Sequence, residues 1–285
     1  MSASTSASAV EAPNQLIDID GRTLAYRTIG AGTPILLCNR FRGNLDSWDP
    51  AFLDALAGHG FLVVTFDYTG LGLSTGIPTY NPFEMMRDPL DLMQGLGIPK
   101  AVIGGWSLGG LMVQALLATS PGRVSHLVLI GTSPPGPLAK TSEALFYETA
   151  AKAVNDDEDN VILFFEPRSE RSRAASKRSL ERIARRTHGR SKPLPIEFAR
   201  ANLGSGPRNP MFPAPPVLEA LKTTDVPILH IGGDHDIVFP VENWYALNQQ
   251  LRTLPLLTFP DAGHGPQHQH PQISADAIAS FVRNT

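Results

Sequence analysis

The sequence contains one cysteine, Cys38, among 285 residues. A single thiol can form neither an internal disulfide nor a thiolate metal cluster, which excludes a disulfide scaffold and a zinc finger. No segment approaches the roughly 18 consecutive apolar residues of a spanning helix, so we expect no membrane segment. The 24 basic and 27 acidic residues give a formal charge of −3, and this near balance argues against a general affinity for nucleic acid.

The first 14 residues are rich in serine and alanine and lack the basic start and apolar stretch of a secretory signal. We expect residues 1–14 to form a flexible tail, and we expect the protein to be cytoplasmic. Hydrophobic residues make up 42% of the chain, so the remainder can bury a sizeable core.

Short apolar runs alternate with helical stretches along most of the chain. A hairpin is expected first, because two apolar segments flank the turn signal Asp20-Gly21. The later runs suit strands that are buried on both faces of a parallel sheet. This alternation predicts an α/β fold with a mostly parallel central sheet flanked by helices. We expect the later strands at 34–38, 61–66, 101–104, 126–130, 227–231 and 256–259, and helices at 51–57, 83–96, 108–119 and 242–251.

The alternation stops after Ile130 and resumes at Val226, and proline clusters lie near both ends of the intervening segment. We predict that residues 134–215 form an inserted, mostly helical lid, and that 15–133 and 216–285 form the core. Four aromatic residues of this segment either line an apolar pocket or pack the small core of the lid itself. They are Phe146, Tyr147, Phe164 and Phe165.

The segment 168–192 contains ten Lys or Arg residues and only two Glu residues. One interpretation is a solvated helical face, with Leu180, Ile183 and Ala184 as the buried stripe. The other is a contact surface for an anionic substrate or a partner. Nucleic acid fits less well, because the segment has no Phe, Tyr or Trp to stack on bases.

The residues Gly105-Trp106-Ser107-Leu108-Gly109 form a G-x-S-x-G motif between a predicted strand and a predicted helix. In that context a sharp turn lifts the serine hydroxyl clear of the sheet, and the glycines keep Cβ atoms out of the crowded turn. The helix that follows points its positive end at developing negative charge. Ser107 is therefore the predicted nucleophile, and the N–H of Leu108 is a predicted oxyanion donor.

A serine hydroxyl needs a base, and the base needs an acid that orients it. His264 lies in a glycine-flanked loop after the predicted strand 256–259, where a base is expected. Asp234 and Asp236 both lie in the loop after the strand 227–231, and each is a candidate for the acid.

These motifs resemble those of the α/β-hydrolase family, and the resemblance covers nearly the whole chain. It rests on Gly-Trp-Ser107-Leu-Gly, on Gly-Gly-Asp-His-Asp236-Ile-Val-Phe-Pro240 and on Ala-Gly-His264-Gly. Family members commonly carry the acid in the pattern D-x-x-x-P, which Asp236 fits and Asp234 does not. The resemblance also implies a lid before the strand that leads to the acid.

The loop after the strand 34–38 departs from the His-Gly that is usual in the family. Asn39 stands at the histidine position and Arg40 at the glycine position, which makes the N–H of Phe41 the second oxyanion donor. Asn39 and the Trp-Asp-Pro sequence further along are similar to the enol-lactone hydrolase branch of the family. We assign Asn39, Arg40 and Trp106 to substrate binding.

Arg40 and Arg42 allow two interpretations. Either an arginine pairs with a nearby acid such as Asp67 or bonds to loop carbonyls, or it binds a substrate carboxylate through its planar fork. His268 and His270 are expected in a solvent-exposed loop, since no carboxylate cluster accompanies them, and no metal site is predicted.

Together these residues predict a serine hydrolase that cleaves a carboxylic ester or lactone without a metal or organic cofactor. Ser107 attacks the carbonyl, His264 takes the serine proton, and Asp236 holds the imidazole. Carbon–carbon bond hydrolysis or perhydrolysis on the same triad remains open, as does a receptor-like protein with negligible turnover. The expected partner is a small ester or lactone, and no nucleic-acid or membrane partner is expected.

Overall fold

The computed structural model describes residues 8–203 and 214–285. Within these ranges, eight strands form one sheet in the order β1-β2-β4-β3-β5-β6-β7-β8. β1 and β2 pair antiparallel, β2 pairs antiparallel with β4, and all other pairs are parallel, which confirms the predicted fold class. The strands are Gln15–Ile19 (β1), Arg22–Ile29 (β2), Thr33–Cys38 (β3), Phe61–Phe66 (β4), Ala101–Trp106 (β5), Val124–Ile130 (β6), Ile228–Gly233 (β7) and Leu256–Phe259 (β8).

Helices cover both faces of this sheet, and each face has its own apolar core of buried residues. The helices are Pro50–Gly58 (α1), Pro82–Met85 (α2), Arg87–Gly95 (α3), Leu108–Thr119 (α4), Ala144–Ala150 (α5), Asp157–Phe164 (α6), Glu170–Ala184 (α7), Ile196–Leu203 (α8), Ala214–Thr223 (α9), Glu242–Tyr245 (α10), Pro266–Gln269 (α11) and Pro271–Asn284 (α12).

Most predicted elements lie where the sequence indicated, and two helices differ. The expected helix 83–96 is divided at Met86 into α2 and α3. The expected helix 242–251 ends at Tyr245, and Gln249 further on has a left-handed φ of 67°, which a helix cannot accommodate. The hairpin forms as predicted, since Asp20 and Gly21 both have positive φ, the requirement of a two-residue turn that matches strand twist.

The inserted segment, residues 134–215, lies between β6 and β7, and its described part consists of helices joined by turns and irregular stretches. It contains α5, α6, α7 and α8, and α9 begins at its end. The predicted boundary between the inserted segment and the core, residue 216, falls inside α9. This helix packs with the core, since Val217 and Leu221 are buried in the same apolar cluster as α4. Part of the proline-rich end of the segment lies outside the described residues.

The N-terminal segment differs from its prediction as a flexible tail. Residues 8–14 pack on the protein, and Ala9 and Ala12 are buried. The Ala9 N–H donates to Oδ1 of Asp54 at 2.7 Å, and Arg186 donates to the carbonyls of Val10 and Ala12 at 2.8 and 2.9 Å. These contacts hold the segment on α1 and on the chain that follows α7, so the tail prediction is wrong for residues 8–14. Residues 1–7 lie outside the described ranges.

The basic helix α7 buries a different face from the predicted one. Leu180 and Ile183 are only partly buried and Ala184 is exposed. The buried face instead consists of small residues, because α7 packs closely on the elements beneath it and two of its hydroxyls reach polar partners there. These residues are Ser172, Ala175, Ser176 and Ser179.

Candidate active site

Ser107 stands at the turn between β5 and α4, as the motif predicts. Its backbone has φ 59° and ψ −119°, a strained conformation for a residue with a side chain, and its N–H donates to the carbonyl of Ile130 at 2.9 Å. A Cβ on Gly105 would lie 2.4 Å from the carbonyl oxygen of Gly109. A side chain at position 105 would therefore force the turn apart, which explains the glycine there.

His264 and Asp236 lie together. Nδ1 of His264 is 2.8 Å from Oδ2 of Asp236, and both side chains are almost fully buried. The other oxygen, Oδ1, accepts N–H bonds from Val238 and Phe239 at 2.8 and 2.9 Å. This double backbone contact fixes the direction in which the carboxylate faces the imidazole.

Asp234, the alternative acid, has a different environment. It is exposed, and in the part of the chain that the structure describes its Oδ1 accepts one long bond, of 3.3 Å, from the N–H of Ala262. The structure therefore brings Asp236, and not Asp234, against His264.

Ser107 and His264 line one cavity of about 280 Å³. The loop after β3 forms another part of its wall through Arg40, Phe41 and Arg42. The inserted segment supplies the rest, with apolar side chains from three helices and a polar group around the start of α6. The apolar residues are Phe146, Ala150, Leu163, Phe164 and Leu180, and the polar ones are Asn155, Asp156, Asp157 and Asn160.

Of the four aromatic residues of the inserted segment, two line the cavity and two pack within the segment itself. Phe146 and Phe164 line the cavity. Tyr147 packs against Phe146 with ring centroids 5.0 Å apart, and Phe165 is buried in a small cluster with Val161 and Ala175. The sequence did not predict that polar residues around the start of α6 line the cavity. An acidic run before an apolar stretch is typical of a helix N-terminus, and Asp156 does cap this helix.

The two predicted oxyanion donors have free backbone N–H groups. Among the described residues, no protein acceptor bonds to the N–H of Phe41 or of Leu108. The start of α4 approaches the loop after β3 closely, since a Cβ on Gly109 would lie 2.3 Å from the carbonyl oxygen of Cys38. The missing side chain at Gly109 brings the two donor segments together.

Arg40 lines the cavity with its guanidinium over aromatic rings. Its Cζ lies 4.4 Å from the ring centroid of Phe164 and 5.2 Å from that of Trp106. One N–H of this group donates to the carbonyl of Phe41 at 2.8 Å. Burial, together with the neighbouring charge of Arg42, lowers the pKa of Arg40 to about 9. The site thus holds a cation that burial disfavours.

Arg42 binds the backbone of the inserted segment instead. Its guanidinium donates to the carbonyls of Lys152 and Ala153 at 2.7 and 2.8 Å, and to that of Ala150 at 3.3 Å. Neither arginine pairs with Asp67, whose oxygens accept from Leu45, Leu73 and Ser191.

Two predicted substrate-binding residues do not line the cavity. Asn39 is buried and donates to the carbonyl of Asn44 at 2.7 Å, which shapes the loop after β3. Trp106 is buried, and its indole N–H donates to the carbonyl of His264 at 2.8 Å. Both side chains turn inward and hold backbone carbonyls near the site, so their assignment to substrate binding stays a prediction.

His268 is buried, contrary to its expected exposure. Asp49 donates its N–H to Nε2 at 3.3 Å, Nδ1 lies 3.3 Å from the Ser179 hydroxyl, and the ring packs on Trp106 at 4.7 Å. Burial lowers the pKa of His268 to about 4, so the ring is neutral. Asp49 also forms a two-bond ion pair with Arg182 of α7.

These contacts join the inserted segment to the core beneath Trp106. His270, in contrast, is half-buried and stacks on Phe259.

Among the described residues, no group of three or more His, Cys, Asp and Glu side chains is arranged for a metal ion. Across residues 8–203 and 214–285, every helix is too short or too polar to cross a membrane.

Comparisons with known proteins agree with this architecture. The chain is 25% identical over 271 residues to a putative non-heme bromoperoxidase of Mycobacterium tuberculosis, a match that covers 90% of this chain and 97% of that protein. An α/β-hydrolase fold protein from Chitinophaga pinensis has a TM-score of 0.84 and 28% identity, over 98% of this chain and 100% of that one. The enol-lactonase of Burkholderia xenovorans has a TM-score of 0.71 and 21% identity, over 95% of this chain and 100% of that one, which is a likeness of fold alone.

The predicted enol-lactone branch thus has a counterpart in fold only. A family model for the α/β-hydrolase fold matches residues 33–271, which span β3 to the start of α12 and include Ser107, Asp236 and His264. This match and the architecture of the sheet show that the chain belongs to the α/β-hydrolase fold family.

Proposed function

We propose that the protein is a serine hydrolase that cleaves a carboxylic ester or a lactone through an acyl-enzyme intermediate. The observation that carries the proposal is the 2.8 Å contact between His264 and the buried Asp236, beside a cavity that His264 shares with Ser107. A carboxylate at Nδ1 keeps that nitrogen protonated, which leaves Nε2 free to accept a proton from serine.

In the proposed reaction, Oγ of Ser107 bonds to the carbonyl carbon while its proton passes to Nε2 of His264. The tetrahedral intermediate then expels the alcohol oxygen, which takes the proton back from the imidazolium. Water attacks the acyl-enzyme with His264 again as base, and the acid and the free serine are released. Asp236 orients the ring and stabilises its positive charge in both halves of the reaction.

The N–H groups of Phe41 and Leu108 are the proposed oxyanion donors. Both lack a protein acceptor within the described residues, and each follows directly after a residue of the cavity wall. Loss of one such donor typically costs about 3 kcal/mol of transition-state stabilisation.

We propose that the inserted segment acts as a lid. Phe146 of α5, Phe164 of α6 and Leu180 of α7 form much of the apolar wall of the cavity, so movement of these helices opens it to solvent. A closed lid excludes water and strengthens the electrostatic contacts inside the site.

The test is to measure hydrolysis of a panel of small esters and lactones by the wild type and by Ser107→Ala. Ser133→Ala is the matched control, because Ser133 is also buried and its hydroxyl has no hydrogen-bond partner among the described residues. We expect Ser107→Ala to lose turnover and labelling by a fluorophosphonate probe, and the control to keep both. Turnover by Ser107→Ala at more than a small fraction of the wild-type rate contradicts the mechanism.

Perhydrolysis on the same residues is the second candidate, because the relative from Mycobacterium tuberculosis is named a non-heme bromoperoxidase. Hydrogen peroxide would then replace water in the attack on the acyl-enzyme, and a peracid would leave. Parallel assays of ester hydrolysis and of bromide oxidation by peroxide with acetate separate the two: the faster reaction, if it depends on Ser107, identifies the function.

A further inference from the structure

Arg40 places a cation in the wall of the cavity without a carboxylate to neutralise it. Within residues 8–203 and 214–285, no carboxylate oxygen lies within 4.0 Å of its guanidinium. A guanidinium has five N–H donors. Here one nitrogen bonds to the Phe41 carbonyl, and Nε is buried without a partner. A partly buried cation with open donors is unfavourable until an anion binds to it.

Arg42, two residues further along the same loop, has a structural role and is a useful comparison for Arg40. Its donors reach the carbonyls of Ala150, Lys152 and Ala153 and the side-chain oxygen of Asn155. The structural interpretation of the two arginines therefore describes Arg42. It does not describe Arg40, whose guanidinium has one protein acceptor among the described residues.

Two aromatic rings hold the Arg40 guanidinium in place and leave the donors that the Phe41 carbonyl does not use open. Phe164 and Trp106 contact it with their ring faces, at 4.4 and 5.2 Å from the centroids. Gly43 leaves room for the stem, since a Cβ at that position would lie 3.0 Å from Cγ of Arg40. A planar fork held in this way is preorganised for a carboxylate.

We propose that Arg40 binds a carboxylate of the substrate, so that the natural substrates are small esters or lactones that also bear a carboxylate. This inference rests on the proposed function of Ser107. The cavity of about 280 Å³ lies near the lower end of the usual range for ligand sites, which favours a small acid. Asp156 and Asp157 also line the cavity and do not pair with Arg40; their charges repel a carboxylate, which favours Arg40 as the place for the anionic end of the substrate.

The kinetic test compares two methyl esters of equal shape. Monomethyl glutarate carries a carboxylate, and methyl 5-methylhexanoate carries an isopropyl group in its place. We expect Arg40→Gln to lower kcat/KM for the anionic ester by roughly 10- to 100-fold, the usual range for a hydrogen bond to a charged group, and to spare the neutral ester. Arg40→Lys keeps the charge without the fork and should retain part of the preference. Arg178→Gln removes an exposed arginine outside the cavity wall and is the control for net charge.

A binding measurement separates this inference from the proposed function. Titration of Ser107→Ala with glutarate in a calorimeter reports carboxylate binding without any turnover. We expect binding that is lost in the double variant Ser107→Ala/Arg40→Gln and kept in Ser107→Ala/Arg178→Gln. If the wild type hydrolyses no ester but this pattern holds, the proposed function fails and the carboxylate site stands.

Three results overturn the carboxylate site. The first is an equal loss for both esters in Arg40→Gln, which points to a role at the oxyanion or in the fold. The second is no loss for either ester. The third is glutarate binding that is unchanged by Arg40→Gln.

Discussion

Oδ2 of Asp236 lies 2.8 Å from Nδ1 of His264, while the N–H groups of Val238 and Phe239 hold the other oxygen of the same carboxylate. The carboxylate therefore cannot rotate away from the imidazole without the loss of two backbone bonds. An acid that is held in this way determines which ring nitrogen of His264 carries the proton.

We expect Asp236→Asn to lower kcat by about 1,000-fold or more, because an amide at this position favours the wrong histidine tautomer. Asp234→Asn is the matched control, since Asp234 is exposed two residues away and does not contact His264. Steady-state kinetics on one ester measure kcat for the wild type and for both variants. A larger loss in Asp234→Asn transfers the role of acid to Asp234.

Ser107→Gly should make the protein more stable while it abolishes turnover. The φ of 59° at Ser107 strains any residue with a Cβ, and glycine adopts it freely. After the greater entropy of glycine in the unfolded chain is subtracted, we expect a gain of about 1 kcal/mol relative to Ser107→Ala. Urea unfolding of the two inactive variants measures the difference, and equal midpoints mean that the turn stores no strain.

Gly109→Ala should lower both stability and activity. The added Cβ would lie 2.3 and 2.6 Å from the carbonyl oxygens of Cys38 and Asn39, so the loop that holds the Phe41 N–H must move. We expect a loss of about 2 kcal/mol in unfolding free energy, as in other overpacked sites, together with slower fluorophosphonate labelling. Gly122→Ala is the control, because nothing lies within 4 Å of a Cβ at that position. Similar effects of the two substitutions rule out the proposed crowding.

His268 should make the protein sensitive to acid. Burial lowers its pKa from 6.5 to about 4. Between these two pH values, His268 is protonated in the unfolded chain and neutral in the folded chain. This contribution is complete above pH 6.5 and is lost as the pH falls to 4, at about 1.4 kcal/mol per pH unit and about 3 kcal/mol in total.

We expect His268→Gln to have a shallower dependence of unfolding free energy on pH between 6.5 and 4. Urea unfolding at several pH values in this window measures the slope. His230, which burial also shifts to a pKa of about 4, remains in the variant, so part of the slope persists. Equal slopes in the two proteins show that His268 can take up a proton in the folded state.

Arg42→Gln tests the proposed lid. The substitution removes the bonds to the carbonyls of Ala150, Lys152 and Ala153, which tie the inserted segment to the loop after β3. We expect amide hydrogen exchange in residues 150–156 to become about 10-fold faster, since hydrogen bonds to a charged group stabilise by roughly 1.5 kcal/mol or more. Unchanged exchange there means that other contacts hold the segment closed.

Local signals in the sequence were sufficient for the fold class and for Ser107, His264 and their motifs. The alternation of short apolar runs with helical stretches predicted the parallel sheet, because strands buried on both faces must be apolar throughout. The glycines around Ser107 predicted the turn, because close backbone approach leaves no room for a Cβ. The preference for Asp236 over Asp234 rested on a family pattern, and the structure adds the physical contact with His264.

The errors share one cause, which is that burial depends on partners far along the chain. Residues 8–14 resemble a tail in sequence, but Arg186, just after the end of α7, donates to the carbonyls of Val10 and Ala12. The buried face of α7 consists of serines and alanines, a composition that hydrophobic periodicity does not detect.

The sequence by itself determined the succession of strands and helices along the chain and the candidate residues of the proposed site, since these follow from contiguous patterns of hydrophobicity and turn residues. Only the tertiary structure decided which polar side chains have partners. His268 is neutral because folding removes its ring from water, even though Asp49, a residue 219 positions away, lies beside it. Arg40 differs from Arg42 only in what the folded chain places around each guanidinium. Hydrogen bonding and desolvation are set by the atoms within a few ångströms, and folding alone brings those atoms together.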